Sequence, residues 1–171
     1  MASFEFMSHR DEFLRLDDEQ LLARCVLRPF QGSGPGGQHR NKTNTGIELL
    51  LTPFNLAIHC CDDRSTQVNR QHALQRLRLR LAVTERIDPP PSPSLAFPGT
   101  HGHVSSTNPG FALFIADVLD RIESQHGEIR PAAESWSLSP SALIRILFQE
   151  KPILEAVQAL RRKWEKPLLK G

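Results

Sequence analysis

The chain has 171 residues, enough to bury a core without covalent support, and a net charge of only +2. Its three cysteines, Cys25, Cys60 and Cys61, are odd in number and show no Cys-x-x-Cys spacing, which argues against a disulfide scaffold and suits reduced thiols. No run approaches the roughly 18 apolar residues of a membrane span, and the first residues lack both an apolar signal core and the acid-poor composition of a transit peptide. The chain is therefore expected in the cytoplasm, away from membranes, as a monomer.

Charge is unevenly spread. Residues 1–23 hold two basic and six acidic side chains, 24–86 ten and four, 87–140 two and six, and 141–171 seven and three. Basic blocks in this arrangement fit a polyanion such as RNA, although solvated helix faces would look the same.

Four segments are expected: an N-terminal helical segment over 1–23, a compact domain over 24–83, a Pro/Gly-rich linker over 84–110, and a helical module over 111–171. In the first, Phe13, Leu14, Leu16, Leu21 and Leu22 among acids predict a short helix over 17–24, capped by Asp17 or Asp18. Strand-like pieces follow at 25–30, 46–51 and 56–61, the last two joined by the turn-forming Thr52-Pro53-Phe54-Asn55. The stretch 65–83 has no Gly or Pro; Ala73, Leu74, Leu77 and Leu81 at helical spacing favour a helix capped by Ser65. The linker runs from Asp88-Pro89-Pro90-Pro91 through Pro109-Gly110, stiff where proline dominates. Helices are then expected from Phe111 to Ile122, from Ser139-Pro140 to about Phe148, and from Lys151-Pro152 onward. The class is α+β: a small antiparallel sheet with a packed helix and an exposed loop, followed by the linker and the helical module.

The loop at 31–45 is glycine-rich, basic and too polar for a core, as functional loops often are. It contains Gly34-Pro35-Gly36-Gly37-Gln38-His39-Arg40-Asn41-Lys42-Thr43. Consecutive glycines let the backbone press against a substrate and present its N–H groups. Such a donor, aimed at developing negative charge, is a strong catalytic element.

The string resembles the catalytic domain of class I peptide chain release factors, through Ser33-Gly34-x-Gly36-Gly37-Gln38-His39-x-Asn41-Lys42-Thr43. The likeness continues with Pro53, Cys60, Asp62-Asp63-Arg64-Ser65, Gln67, Asn69-Arg70 and Ala73-Leu74-x-x-Leu77-Arg78-x-Arg80-Leu81, covering about residues 24–83. The resemblance implies a catalytic Gly36-Gly37-Gln38 motif: the Gln38 backbone N–H stabilises charge at the ester while its side chain selects water as nucleophile. It implies the large-subunit ribosomal RNA and peptidyl-tRNA as partners, which supply the remaining catalytic groups, and a methyltransferase acting on Gln38.

His39, Arg40, Asn41, Lys42, Arg64 and Arg70 are assigned to RNA or ribosome contact, with Asn41 also suited to holding the loop's own backbone. His39 is not needed as a base in the implied mechanism. His59, Cys60 and Cys61 resemble metal ligands, but strand neighbours point to opposite faces, so Cys60 and Cys61 read as buried thiols. No metal and no cofactor is expected, and His101 and His103 receive no role.

The sequence departs from the family pattern at Pro35, Arg40 and Phe54-Asn55, none of which removes a catalytic group. With about 25 residues ahead of the core, no stop-codon reader is expected, and the implied action is codon-independent release in ribosome rescue. The C-terminal Arg161-Arg162-Lys163-Trp164-Glu165-Lys166 is basic but short and adjoins an amphipathic helix, which favours a folded RNA- or protein-binding module over a channel-filling tail. The alternative is a non-hydrolytic ribosome- or RNA-binding protein with a release-factor-like domain.

Overall fold

The computed structural model describes residues 9–30 and 45–170. These form an α+β fold with seven helices and a three-stranded antiparallel sheet. They divide into two units, one of residues 16–81 and one that joins 9–15 to 82–170.

In the first unit, α2 (Asp18–Ala23) is preceded by the expected cap. Asp17 Oδ1 accepts from Gln20 N at 2.8 Å, and Gln20 Oε1 accepts from Asp17 N at 3.2 Å. This reciprocal box satisfies amides that the helix leaves unpaired. Cys25, expected in the first strand, instead belongs to the helix exit, its N–H donating to Leu22 O at 3.0 Å.

Strands β1 (Val26–Phe30), β2 (Gly46–Leu51) and β3 (Leu56–Cys60) pair antiparallel in that spatial order. A one-turn 3-10 helix, Thr52–Phe54, closes the β2–β3 hairpin, with Asn55 in the left-handed region at φ 49°. Asparagine is among the few residues that tolerate this conformation. Pro29 sits on β1, an edge strand, where its missing donor is tolerated.

Period-two alternation puts Ile47, Leu49 and Leu51 inward and Glu48 outward. The expected helix is α3 (Thr66–Thr84), whose Ala73, Leu74, Leu77 and Leu81 are all buried. With the β2 residues and Cys60 they supply the core of this unit.

The second unit contains α1 (His9–Arg15), which lies before the one helix expected in the N-terminal segment. It also contains α4 (Phe111–Ser124), α5 (Arg130–Glu134), α6 (Pro140–Leu147) and α7 (Lys151–Lys163). Every residue of α4 from Phe111 to Ile122 is buried, so this helix needs cover all round.

Part of that cover is the proline-rich segment, which makes specific tertiary bonds despite its lack of helix or strand. Ser94 N donates to Asp117 Oδ2 at 2.6 Å, Arg121 to Pro90 O at 3.0 Å, Trp136 Nε1 to Leu95 O at 3.0 Å, and Gln149 to Val104 O at 3.0 Å. Phe97 and Trp136 both meet the Phe114 ring edge-on, at 5.4 and 5.1 Å.

The acids of α4 are balanced within the unit. Asp120, 2% exposed, accepts from Arg10 and Arg86, each at 2.7 Å, and Arg10 also reaches Glu85 O at 2.9 Å. Burial pushes the Asp120 carboxyl up to about 6 against the pull of Arg86 and Arg10, and brings the Arg86 guanidinium down to about 10. The folded unit therefore holds a proton on Asp120 where the unfolded chain has released it. The resulting contribution to stability is complete below the unfolded value and lost as pH rises through about 6. Relative to Asp120→Asn, the wild type should lose roughly 2 kcal/mol of unfolding free energy between about pH 4.5 and about pH 7.5. Urea titrations of both proteins at the two pH values measure this; a difference that grows with pH would reverse the sign of the effect.

Candidate functional site

The string at 33–43 expected to be catalytic, with Gly36, Gly37, Gln38, His39, Arg40, Asn41 and Lys42, lies outside the described residues. Its two anchors are described. Phe30 at the end of β1 pairs with Gly46 at the start of β2, so the 31–45 segment leaves and rejoins the sheet at one rung. A β-carbon on Gly46 would stand 2.2 Å from Phe30 O, so this rung requires glycine.

Beside the rung, the Phe30 ring stacks on His59 at 4.3 Å with an interplanar angle of 9°. His59 Nε2 lies 2.7 Å from Glu48 Oε2, and Arg28 reaches Glu48 at 3.7 Å. This row across the outer face ties all three strands together.

The return side of the segment is held by a buried carboxamide. Asn69, fully buried in the first turns of α3, donates from Nδ2 to Thr45 O at 2.9 Å and to Asp63 O at 2.8 Å. Its Oδ1 accepts from Asp63 N at 2.8 Å, with the Cys60 thiol at 3.7 Å. Thr45 Oγ1 donates to Asp63 O at 3.1 Å, and Asp63 Oδ1 accepts from Ser65 N at 2.7 Å. One side chain thus joins the end of the segment to the β3–α3 turn and leaves no amide atom unpaired.

Of the assigned RNA contacts, Arg64 and Arg70 are described. Arg64 is exposed in the turn before α3 and has no ion pair among the described residues. Arg70 is half-buried, one position after Asn69, and its Nε is buried without a partner among the described residues. Both cations therefore stand within a few residues of the Thr45 anchor's own partners, Asp63 and Asn69. Arg76 is occupied by Asp62, and Arg78 by Asp18 at 2.6 Å and Leu16 O at 2.8 Å.

Cys60 is a buried thiol, whereas Cys61 and Cys25 are half-buried. Burial raises the Cys60 and Cys25 thiols above their usual range, which keeps them protonated. Donor atoms of Cys60, Asp62 and His72 lie within 4.8 Å of one another. The Arg76 cation on Asp62 and the raised thiol both oppose metal binding there.

Residues 19–94 match the family described as the RF-1 domain. Peptide chain release factor 1 of Dictyoglomus thermophilum is 40% identical over 55 residues, 32% of this chain and 15% of the relative. Peptide chain release factor 1 of Dictyoglomus turgidum matches with the same identity and coverage. The chain therefore spans about 15% of the length of these curated relatives. Within the matched segment, the sheet and the Asn69 bonds at the first turns of α3 fix Phe30, Thr45 and Gly46, the described residues on either side of 31–44.

Asn69 stood in the resemblance string without a role. The local signal is an asparagine inside a long helix, where side-chain competition with the backbone makes it a poor helix former unless a tertiary bond uses it. Asn69→Ala removes three bonds of at most 2.9 Å, taking this partner from Thr45 O and Asp63 N and leaving Asp63 O only the Thr45 hydroxyl. It should lower unfolding free energy by about 2–3 kcal/mol, read by urea denaturation; a loss below about 0.5 kcal/mol would mean that the amide does not hold the anchor.

Proposed function

We propose that this chain is a codon-independent release factor that promotes hydrolysis of the peptidyl-tRNA ester in the peptidyl transferase centre of stalled ribosomes or large subunits. The observation that carries this reading is the intact Gly36-Gly37-Gln38 string in a segment matching the RF-1 domain. Hydrolysis of an ester passes through a tetrahedral oxyanion, and a fixed backbone N–H stabilises that charge without reorganisation. In this reading the Gln38 N–H is the donor, its side chain admits water as nucleophile, and Gly36 and Gly37 permit the approach.

The protein's part is then positional, with ribosomal RNA and tRNA completing the site. His39, Arg40, Asn41, Lys42, Arg64 and Arg70 serve RNA contact in this scheme, and the chain acts as a monomer. A methyltransferase modifying the Gln38 amide belongs to the same reading and is checked by the mass of the peptide that contains it.

The test is peptide release from purified ribosomes stalled without a stop codon. Wild type should release peptide, whereas Gly37→Ala and Gln38→Ala should each lose about 100-fold or more in rate while still cosedimenting with ribosomes. Equal rates for the three proteins would remove the catalytic assignment. Binding by wild type without release would favour a non-hydrolytic ribosome-binding protein.

Arg64→Ala tests the cation beside the anchor separately. It should weaken ribosome binding and reduce the slope of log affinity against log salt by about one unit. An unchanged slope would place Arg64 away from phosphate.

A further inference from the structure

The second unit contains a helix pair whose local construction differs from a simple bundle corner. Gly127, at φ 82°, ends the run after α4, its N–H donating to Ile122 O at 2.8 Å. Pro131 then sits in the first turn of α5, which buries only the small side chains Ala132 and Ala133. Ser135 caps α5 and Ser139 precedes α6, leaving Trp136, Ser137 and Leu138 as a three-residue turn.

That turn is fixed at every residue. Trp136 N and Leu138 N both donate to Ala133 O, at 3.1 and 3.0 Å, and Ser137 N donates to Glu134 O at 3.0 Å. Ser137 lies at φ 54°, in the left-handed region where glycine is the natural occupant. The Trp136 ring is buried against Phe114 and Arg121. Ser139 Oγ then accepts from Ala142 N at 3.2 Å, and Pro140 opens α6. A short helix on small residues, a three-residue turn with one left-handed residue, and a second capped helix make a helix-turn-helix.

The second helix presents one face outward. Ala142, Leu143, Ile146 and Leu147 are buried, while Ser141 and Arg145, four positions apart, are exposed with Ile144 half-exposed between them. Arg145 on α6 and Arg130 at the start of α5 are exposed and have no ion pair or hydrogen-bonded side-chain partner among the described residues.

Neighbouring charges are largely spent internally. Asp117 pairs with Arg121 at 2.9 Å, Asp120 with Arg10 and Arg86, Glu123 with Lys163 at 2.5 Å, and Glu128 with Lys166 at 2.5 Å. Glu134 on α5 is exposed and has no such partner among the described residues, leaving two free cations and one free acid on the helix pair.

We propose that α5 and α6 form an RNA-docking helix-turn-helix that holds the sugar-phosphate backbone of an RNA double helix through Arg130, Arg145 and the Ser141 hydroxyl. A guanidinium and a hydroxyl on one exposed helical face suit phosphate and 2′-hydroxyl groups across the shallow minor groove of A-form RNA. The major groove of A-form RNA is too narrow for side chains to read, so an arginine on this face meets the backbone, and binding is to shape and not to sequence. This partner rests on the reading that the chain acts on ribosomes, but the surface is independent of the ester chemistry.

The test uses the full-length chain and fluorescence anisotropy with a 20-base-pair RNA duplex, the same sequence as DNA, and one RNA strand alone. Arg130→Ala/Arg145→Ala should weaken binding to the RNA duplex about tenfold or more and lower the salt slope by about two units, with circular dichroism and melting unchanged. Glu134→Gln should tighten binding. No binding of RNA duplex by wild type, an unchanged slope in the double variant, or tighter binding of DNA than of RNA would overturn the proposal. Failure of the release assay would leave these outcomes readable, because no hydrolysis enters them.

Discussion

The geometry of the unit formed by residues 16–81 depends on one buried carboxamide. The chain leaves a narrow sheet after Phe30 and must return at Gly46 with its ends fixed, and strand pairing secures only that last rung. Asn69 supplies what pairing does not. It accepts and donates simultaneously, so a single side chain holds the carbonyl of Thr45 and both backbone groups of Asp63. An apolar residue there would take the Asn69 partner from Thr45 O and Asp63 N and leave Asp63 O only the Thr45 hydroxyl, and a carboxylate would lose both donors. The proposed chemistry at a backbone N–H would make this demand acute, since a main-chain donor can be aimed only by placing the chain itself.

The other unit solves a different problem. A helix buried over Phe111 to Ile122 has no face for its polar side chains, yet α4 contains Asp117, Asp120 and Arg121. Each is neutralised in place: Asp117 by Arg121 and the Ser94 amide, Asp120 by Arg10 and Arg86. Two of these partners come from α1 and from the segment after α3, so the buried charges specify which pieces cover α4. Removing charge from water is costly unless geometry and hydrogen bonds compensate, and the upward displacement of the Asp120 carboxyl records that cost.

Legibility in the sequence followed the range of the interactions. The three strands, α3 with its stripe Ala73, Leu74, Leu77 and Leu81, and the starts of α4, α6 and α7 could be read because periodicity and caps are local signals. Helix α5 was not foreseen, since five residues with a proline and two alanines carry no periodic pattern. Helix α1 was missed because its buried Arg10 is paid for by Asp120, a partner 110 positions away. Segment 84–110 read as linker from composition, whereas its bonds to Asp117, Arg121, Trp136 and Gln149 are tertiary and leave no trace in Pro and Gly content. The Gly36-Gly37-Gln38 string stands out for the opposite reason: the chemistry proposed for it needs particular residue types in a fixed order. Asn69 was visible as a residue of the resemblance but not as an anchor, because its partners are backbone atoms.

Ser137 joins local sequence to this larger logic. A left-handed residue with a side chain is tolerated where the surrounding bonds over-determine the turn, and Ala133 O, Glu134 O and the buried Trp136 ring do so here. The strain therefore fixes the angle at which α6 leaves α5, and with it the positions of Ser141 and Arg145. An exposed pair on a freely hinged helix would lose much of its interaction energy to ordering on contact. On a locked turn that ordering is complete before any partner arrives, which makes two cations sufficient to define a docking surface where a flexible basic tail would need many.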